Sequence, residues 1–255
     1  MKRLVCVLLA AMAAVVLWGC GRAEPDVRFV VGFDETFKPF GFKDGEEYKG
    51  FDLDLAREVC RRRGWAFVAQ PVAWDAKDEA LESGEVSCIW NGFTIQGRED
   101  EYEWTPAYVD NSQVMLVMAG SALHTLGDVV GHKVAVQVDT PVLETLRPGG
   151  DCEDFGASFA ALEECGTYSE ALAELESGAV DAVAMDVGMA KQMMSDKPGV
   201  FRLLDEAVMT ETYGIGFRKG NAELRDAVWA TYREMLADGT VEALAKKYEV
   251  DGVIR

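Results

Sequence analysis

Polar residues follow four apolar stretches of the chain, and their types are those of an ionic binding site. Each stretch has the length and apolar content of a buried strand. The residues that follow the strands are Asp34; Asn91, Gly92, Thr94 and Arg98; Asp139 and Thr140; and Asp186. An arginine binds a carboxylate through two parallel hydrogen bonds, whereas Asp and Thr accept hydrogen bonds from an ammonium group. The set therefore predicts a site for a small zwitterion.

Each of these residues also has an ordinary structural interpretation. An Asp after a strand commonly caps a helix or forms a turn. Arg98 could balance the acidic residues that follow it, and Thr140 before a proline is a natural helix N-cap. Phe37, Trp74 and Trp90 near the strand ends could be core residues or apolar walls of the site. A site is favoured because all four strand ends carry polar residues together.

Alternating strand and helix patterns must position these strand ends. The first half of the chain predicts strands at 27–32, 66–72 and 86–90, with helices at 50–63 and 76–83. The second half predicts a strand at 133–138, a helix from Pro141, a helix at 169–177 and a strand at 180–185. Strand and helix in alternation indicate parallel crossovers and an α/β sheet. Ligands of such sheets bind outside the carboxyl ends of the strands.

A short internal repeat indicates two similar α/β lobes. LESGEVSCIW at 81–90 and LESGAVDAVA at 175–184 each predict a helix that ends at Gly and returns into a buried strand. Apolar strands at 114–119 and 213–217 could pass between the lobes, and helices at 221–238 and 240–248 follow. We expect the first lobe to comprise 27–113 and 210–255, and the second lobe to comprise 114–209.

The composition excludes several classes of protein. The 255 residues are 49% apolar and 27% charged, which is typical of a globular protein and not of a disordered one. The formal net charge of −19 would repel phosphate backbones, so nucleic acid is excluded as a general partner.

The first twenty residues have the pattern of a secretory signal. Lys2 and Arg3 precede an uncharged apolar run at 4–18, which is too short for a membrane span and ends at Gly19-Cys20. LWGC at 17–20 resembles the lipobox of bacterial lipoproteins, which implies cleavage after residue 19, a lipidated Cys20 and a tether at 20–26. The alternative is an ordinary signal peptide with an incidental cysteine. Either interpretation places the protein outside the cytoplasm, where disulfides can form.

The cysteines and histidines do not predict a metal site. The chain has two histidines and no C-x-x-C motif, so zinc ligands at usable spacing are missing. Cys60 and Cys88 lie in helix and strand patterns, where a buried free thiol is expected. Cys152 and Cys165 flank a loop-like stretch and are the better candidates for a disulfide.

Eight segments in order resemble the bacterial extracellular solute-binding proteins of family 3. They are VVGFDETFKPFGF (30–42), GFDLDLAREV (50–59), PVAWDAKDEALESGEV (71–86), WNGFTIQGRE (90–99), WTPAYVDNSQV (104–114), KVAVQVDT (133–140), LESGAVDAVAMD (175–186) and YGIGFRKGNAEL (213–224). The resemblance covers nearly the whole chain after the signal. It implies the two-lobed α/β fold of type II periplasmic binding proteins and a role as the polar amino-acid receptor of an ABC importer.

The same resemblance implies nine ligand-binding residues: Arg98 and Thr140 for the α-carboxylate; Gly92, Thr94 and Asp186 for the α-ammonium; and Asp34, Phe37, Trp74 and Asn91 for the side chain. Two features depart from the family. The segment from Thr94 to Arg98 is one residue shorter than usual, and Pro141 stands where many relatives have Ser or Thr. Because proline has no N–H group, one expected carboxylate donor is missing.

The expected partners follow from this role. They are a small-molecule amino acid and an ABC transporter permease. We expect no cofactor, a monomeric state, and contact with the membrane through the lipid anchor only. Asp34 predicts a preference for polar neutral or basic amino acids over acidic ones, because a ligand carboxylate would be repelled.

Two alternative functions remain at this point: a secreted enzyme of the same fold that resembles cyclohexadienyl dehydratase, or a sensory ligand-binding subunit. An enzyme would need a general acid or base, and the sequence offers Asp34 and Glu35 but no well-placed histidine.

Overall fold

The computed structural model describes residues 27–250 and 253–255. The predicted signal at 1–19 and the predicted lipidation site Cys20 lie outside these residues. The described strands are β1 (Arg28–Phe33), β2 (Thr36–Phe37), β3 (Gly41–Asp44), β4 (Glu47–Lys49), β5 (Ala66–Pro71), β6 (Cys88–Thr94), β7 (Glu103–Trp104), β8 (Val109–Met118), β9 (Lys133–Gln137), β10 (Ala161–Cys165), β11 (Ala182–Asp186) and β12 (Phe201–Phe217). The described helices are α1 (Phe51–Arg63), α2 (Lys77–Glu82), α3 (Pro141–Leu146), α4 (Glu153–Ala157), α5 (Tyr168–Ser177), α6 (Val187–Asp196), α7 (Ala222–Ala237) and α8 (Thr240–Lys247).

Local sequence explains where the predicted helices begin and end. Helix α1 carries acidic residues in its first turn and three arginines in its last turn, which complement the helix dipole. Helix α5 begins with a capping box between Thr167 and Glu170. Both copies of the LESG repeat form a helix followed by a strand, and both glycines have left-handed conformations, Gly84 at φ 79° and Gly178 at φ 76°. The repeat therefore describes the same structural unit twice.

A single sheet joins two parallel groups of strands through two antiparallel strands. Its order is β10, β9, β11, β8, β12, β6, β1, β5, and β7 also pairs with β12. Strand β1 is parallel to β5 and β6, and β9 is parallel to β10 and β11. Strands β8 and β12 lie between the groups and pair antiparallel to each other. The mixed α/β class predicted from the sequence is confirmed.

Strands β8 and β12 connect the two ends of the sheet. They pair from Tyr213 opposite Val109 to Phe201 opposite Met118. The C-terminal part of β12 also pairs with β6 and β7, whereas the C-terminal part of β8 pairs with β11. Both strands are longer than predicted, because β8 begins at Val109 and β12 begins at Phe201 instead of Tyr213. The division into lobes at 113/114 and 209/210 stays a prediction.

Several elements have no counterpart in the sequence prediction. Strands β2, β3 and β4 form a small separate antiparallel sheet that follows β1 in the chain, and β10 and α6 also lie outside the predicted elements.

Three apolar clusters form the core, and one of them extends across both ends of the large sheet. In the described part of the chain, no helix has the length and apolar content that a membrane crossing requires.

The cysteines of the described residues are all free thiols. Cys60 and Cys88 are buried in the core, as the patterns predicted. Burial raises the pKa of the Cys60 thiol to about 12, so it is protonated at neutral pH. The two better candidates for a disulfide, Cys152 and Cys165, are not paired: Cys165 is a buried residue at the end of β10, and Cys152 is half-buried just before α4.

Candidate functional site

A small cavity of about 20 Å³ lies where the two groups of strands meet the central pair. All nine residues that the resemblance singled out line it. The full lining is Asp34, Phe37, Trp74, Asn91, Gly92, Thr94, Arg98, Gln113, Gln137, Thr140, Pro141, Tyr168 and Asp186. The structure therefore brings the predicted residues together, while their contact with a ligand stays a prediction.

Strand β6 carries three of these residues within the strand and not after it. The strand was expected to end at Trp90, but it continues to Thr94. Gly92 has a left-handed φ of 57°, and a Cβ atom there would lie 2.6 Å from Cε1 of Phe37. The Gly92 N–H donates to Oδ2 of the buried Asp52 at 2.7 Å. Gly92 thus lets the strand turn its polar residues toward the cavity at a position that a side chain would block.

Asp52 holds this turn from behind the cavity. Its other carboxylate oxygen accepts a hydrogen bond from the Tyr108 hydroxyl at 2.7 Å. The side chain is fully buried. Burial raises the pKa of the Asp52 carboxyl to about 7, and the hydrogen bonds from Tyr108 and Gly92 limit the rise.

Asp34 has more protein partners than the sequence indicated. Its Oδ1 accepts hydrogen bonds from the backbone N–H and the hydroxyl of Thr36, which is the turn-forming role of an ordinary Asp. Its Oδ2 accepts a hydrogen bond from Nε2 of Gln137 at 2.9 Å. The protein itself therefore supplies hydrogen-bond donors to both carboxylate oxygens of Asp34. These donors are neutral, so they do not cancel its negative charge.

Arg98 is almost completely buried beside the cavity. Its Nη2 donates to the backbone carbonyl of Asp139 at 2.7 Å, and its guanidinium lies 5.5 Å from the centre of the Phe93 ring. Its ion-pair partner is the Asp139 carboxylate, at 3.5 Å, and not the acidic residues that follow Arg98 in sequence. Nη1 of Arg98 has no hydrogen-bond partner among the described residues. A buried N–H donor of this kind is suited to a carboxylate.

Asp139 connects both ends of the sheet at the edge of the cavity. It follows β9 in a left-handed conformation, with φ 56°. Its carboxylate forms an ion pair with the fully buried Lys77, and its carbonyl accepts a hydrogen bond from Nε1 of Trp74 at 3.1 Å. Lys77 was not among the residues predicted from the sequence, although a lysine three residues after Trp74 on a short amphipathic helix was a visible signal.

A network of buried polar groups surrounds Asp186, which lines the cavity. Asp186 accepts hydrogen bonds from the Tyr168 hydroxyl at 2.9 Å and from Nδ2 of Asn111 at 2.6 Å. Nδ2 of Asn111 also donates to Glu211, which accepts further bonds from Nε2 of Gln113 and Oγ1 of Thr94.

Most of this network was not predicted. Asn111, Gln113 and Glu211 lie on β8 and β12, which the sequence analysis treated only as connections. Asn111 and Gln113 are two residues apart, so they share one face of β8. Polar side chains at this spacing in an apolar strand were the available signal.

Burial changes the ionisation of both acidic groups in the network. Burial and, to a smaller extent, repulsion by the neighbouring Glu211 together raise the pKa of Asp186 to about 8, and the hydrogen bond from Tyr168 limits the rise. Burial likewise raises the pKa of Glu211. In the absence of a nearby cation, both carboxyls are therefore harder to ionise than in water.

Thr140 occupies the N-cap position of α3 with Pro141 at the first helical position, as predicted. Its side chain does not cap the helix, because Oγ1 donates to the carbonyl of Gln137 at 2.8 Å.

Aromatic rings form the remaining walls of the cavity: the ring centroids of Phe37 and Tyr168 lie 6.0 Å apart. Trp90 was expected among these walls, but it is fully buried in the core and does not line the cavity.

The described residues do not contain a group of three or more His, Cys, Asp or Glu side chains arranged to hold a metal ion. The acidic residues at the cavity are instead engaged by neutral donors or, for Asp139, by Lys77 and Arg98. The arrangement can hold a ligand that carries one anionic and one cationic group.

Comparisons with known proteins agree on one family. The sequence model described as bacterial extracellular solute-binding proteins, family 3, matches residues 29–251. The histidine-binding periplasmic protein of Salmonella typhimurium is 30% identical over 230 residues, covering 86% of this chain and 86% of the relative. The L-cystine-binding protein of Escherichia coli is 27% identical over 223 residues, covering 86% of this chain and 81% of the relative.

Solved structures show the same fold. An ABC uptake transporter substrate-binding protein from Streptococcus pneumoniae with bound histidine has a TM-score of 0.82 at 25% identity, covering 87% of this chain and 92% of the other. An ancestral arginine-binding protein bound to arginine has a TM-score of 0.79 at 31% identity, covering 88% of this chain and 99% of the other.

Proposed function

This chain belongs to the bacterial extracellular solute-binding proteins, family 3, and on that premise we propose that it is the substrate-binding component of an ABC importer for polar amino acids. The single observation that carries the proposal is that Arg98, with an unpartnered N–H donor, and Asp186 line the same buried cavity. Those two groups suit the two ends of an amino acid. The relatives are named for binding histidine and cystine, which are of the same class.

The α-carboxylate is assigned to Arg98. Its Nη2 donates to Asp139, whereas its Nη1 has no partner among the described residues and is available to donate to the ligand. Thr140 is assigned a supporting role, although its hydroxyl must rotate away from the Gln137 carbonyl to donate to a carboxylate. Pro141 lines the cavity without an N–H group, so Arg98 carries more of the carboxylate binding here.

The α-ammonium is assigned to Asp186, the Gly92 carbonyl and the Thr94 hydroxyl. Oγ1 of Thr94 donates its proton to Glu211 at 2.9 Å. Its lone pairs are consequently left for a donor, which is what an ammonium group supplies.

The ligand side chain is assigned to Asp34, Asn91, Phe37 and Trp74. The two aromatic rings would pack against its apolar part, and Asn91 has a buried Nδ2 without a partner among the described residues. Asp34 is hydrogen-bonded by neutral groups and keeps its charge uncompensated. Polar neutral and basic amino acids are therefore favoured over Asp and Glu, and aliphatic ones bind weakly.

The cellular setting is part of the same proposal. Residues 1–19 serve as the signal peptide and Cys20 carries the lipid, so a monomer is anchored to the outer face of the membrane and serves a permease. The relatives are named as periplasmic or extracellular proteins, which agrees with export.

Two lobes close on the ligand about β8 and β12. The first lobe comprises residues 27–113 and 210–255, and the second comprises residues 114–209. Binding involves no bond chemistry.

A thermal-shift panel of the proteinogenic amino acids tests the function. A ligand at 100 times its dissociation constant stabilises the folded state by about 2.7 kcal/mol, which is a measurable shift in melting temperature. We expect polar neutral or basic amino acids to give the largest shifts. A panel in which no amino acid raises the melting temperature would contradict the proposal.

A further inference from the structure

Glu211 is a buried acidic residue that lies directly behind the ammonium side of the cavity. It is 3% exposed and stands opposite Asn111 in the ladder between β12 and β8. Its carboxylate accepts hydrogen bonds from Asn111, Gln113 and Thr94. All three donors are neutral. The family resemblance assigned no role to this residue.

One side-chain amide links Glu211 to Asp186. Nδ2 of Asn111 donates to Oε1 of Glu211 at 2.5 Å and to Oδ1 of Asp186 at 2.6 Å. Because one nitrogen atom donates both bonds, the two carboxylates are held close to each other. Both side chains are more than nine-tenths buried, so water does little to screen their repulsion.

The surroundings supply little positive charge to this pair. The titratable and charged groups that face it are Tyr168, which donates to Asp186, and Arg98, whose charge favours ionised Glu211. Arg98 is itself engaged by Asp139. Two buried carboxylates with one shared, partly engaged cation are not both ionised at neutral pH.

We propose that Glu211 and Asp186 together link binding of the ligand ammonium to the release of one proton. Without a cation against it, the pair retains one proton between its carboxyl groups. When the ammonium binds, both carboxylates ionise and the proton passes to the solvent. The raised pKa values of both residues have the direction that this requires. This inference rests on the proposed function, because it needs an ammonium ligand at Asp186.

Calorimetric titration with L-glutamine tests the inference, because that ligand has no titratable side chain. Titrations at pH 7 in two buffers of different ionisation enthalpy give the number of protons released on binding. We expect about one proton per ligand, and an affinity that rises nearly tenfold from pH 6 to pH 7. L-arginine, whose guanidinium stays charged, serves as a second probe.

Variants assign the effect to Glu211. Glu211→Gln should release fewer protons than the wild type and show a weaker pH dependence of affinity, because it removes the repulsion that adds to burial in keeping the proton on Asp186. Glu211→Asp should restore the release, and Asp205→Asn, an exposed position on the same strand, should leave it unchanged. Should Glu211→Gln fail to fold, the number of protons released by the wild type and by Glu211→Asp still tests the inference.

The outcomes separate the two proposals. Binding by the wild type without proton release, or equal release from Glu211→Gln, overturns the inference and leaves the proposed function intact. Absence of binding heat with both probes, together with a flat thermal-shift panel, overturns the proposed function and the inference with it.

Discussion

Lys77 and Asp139 form an ion pair that joins the two ends of the large sheet at the edge of the cavity. The Lys77 side chain is fully buried at the start of α2, whereas Asp139 follows β9 and is 36% exposed. Asp139 also accepts hydrogen bonds from Arg98 and Trp74. One acidic residue after β9 therefore contacts three residues from the opposite half of the structure.

This pair predicts an asymmetric effect of substitution on stability. Asp139→Asn leaves the buried Lys77 ammonium with one carboxylate partner among the described residues, Asp78 at 3.6 Å. It should therefore lower the free energy of unfolding by about 3 kcal/mol, the lower end of the range for a buried ion pair that loses one partner. Lys77→Met should cost less, because the remaining Asp139 reaches water. Urea denaturation measures both. A larger loss in Lys77→Met would contradict the assignment.

Arg98→Ala should remove most of the affinity for every amino acid. Loss of one partner of a desolvated charge pair costs about 2–5 kcal/mol, which is roughly 30-fold to several thousand-fold in the dissociation constant. Titration calorimetry measures the change. Arg61→Ala, on the exposed end of α1, is the matched control and should bind normally. Near-normal binding by a folded Arg98→Ala would show that the carboxylate is held elsewhere.

Asp34→Asn should narrow the discrimination against acidic ligands. The substitution removes the negative charge that would repel the side-chain carboxylate of an acidic ligand. The amide oxygen of the asparagine can still accept the hydrogen bonds of Thr36. The ratio of the dissociation constants for L-glutamate and L-glutamine should therefore decrease. A wild-type protein that binds L-glutamate most tightly would show that Asp34 does not face the ligand.

Because of Asp52, the free energy of unfolding should decrease as the pH rises. Its pKa is about 7 in the folded protein, above the value of an exposed carboxyl, so the folded chain binds more protons between about pH 4 and 7. Relative to Asp52→Asn, the wild type should lose up to about 1.4 kcal/mol of stability per pH unit across that window. Denaturation at several pH values tests this, with the exposed Asp75→Asn as control. A constant difference would mean that Asp52 is ionised throughout.

Cys20→Ser should release the protein from membranes. Lipid anchoring depends on about 0.8 kcal/mol for each buried methylene, and a serine cannot carry the thioether-linked lipid. Fractionation of cells into membrane and soluble parts measures the effect. Cys152→Ser, at a half-buried free thiol, should stay with the membranes. Membrane association of Cys20→Ser equal to wild type would contradict lipidation.

The sequence by itself determined the local elements and most of the polar strand ends. Helix α1, strands β1 and β9 and the two Gly-terminated repeats follow from apolar periodicity and from glycines at helix ends, which act over a few residues. Asp34, Arg98 and Asp186 were identified because each follows or ends such an element. Strand β6 was predicted too short because its polar end, Asn91 to Thr94, resembles a loop in a single sequence.

Only the tertiary structure decided which distant residues meet. Glu211 contacts Asn111 and Asp139 contacts Lys77 across 100 and 62 residues of chain, respectively. No local pattern specifies these distances, because the pairing of β8 with β12 and the approach of β9 to α2 depend on how whole elements pack. Burial is likewise a property of the packed chain. It converts Asp52, Asp186 and Glu211 from ordinary surface-type acids into groups with raised pKa values, because removal from water penalises their charged forms.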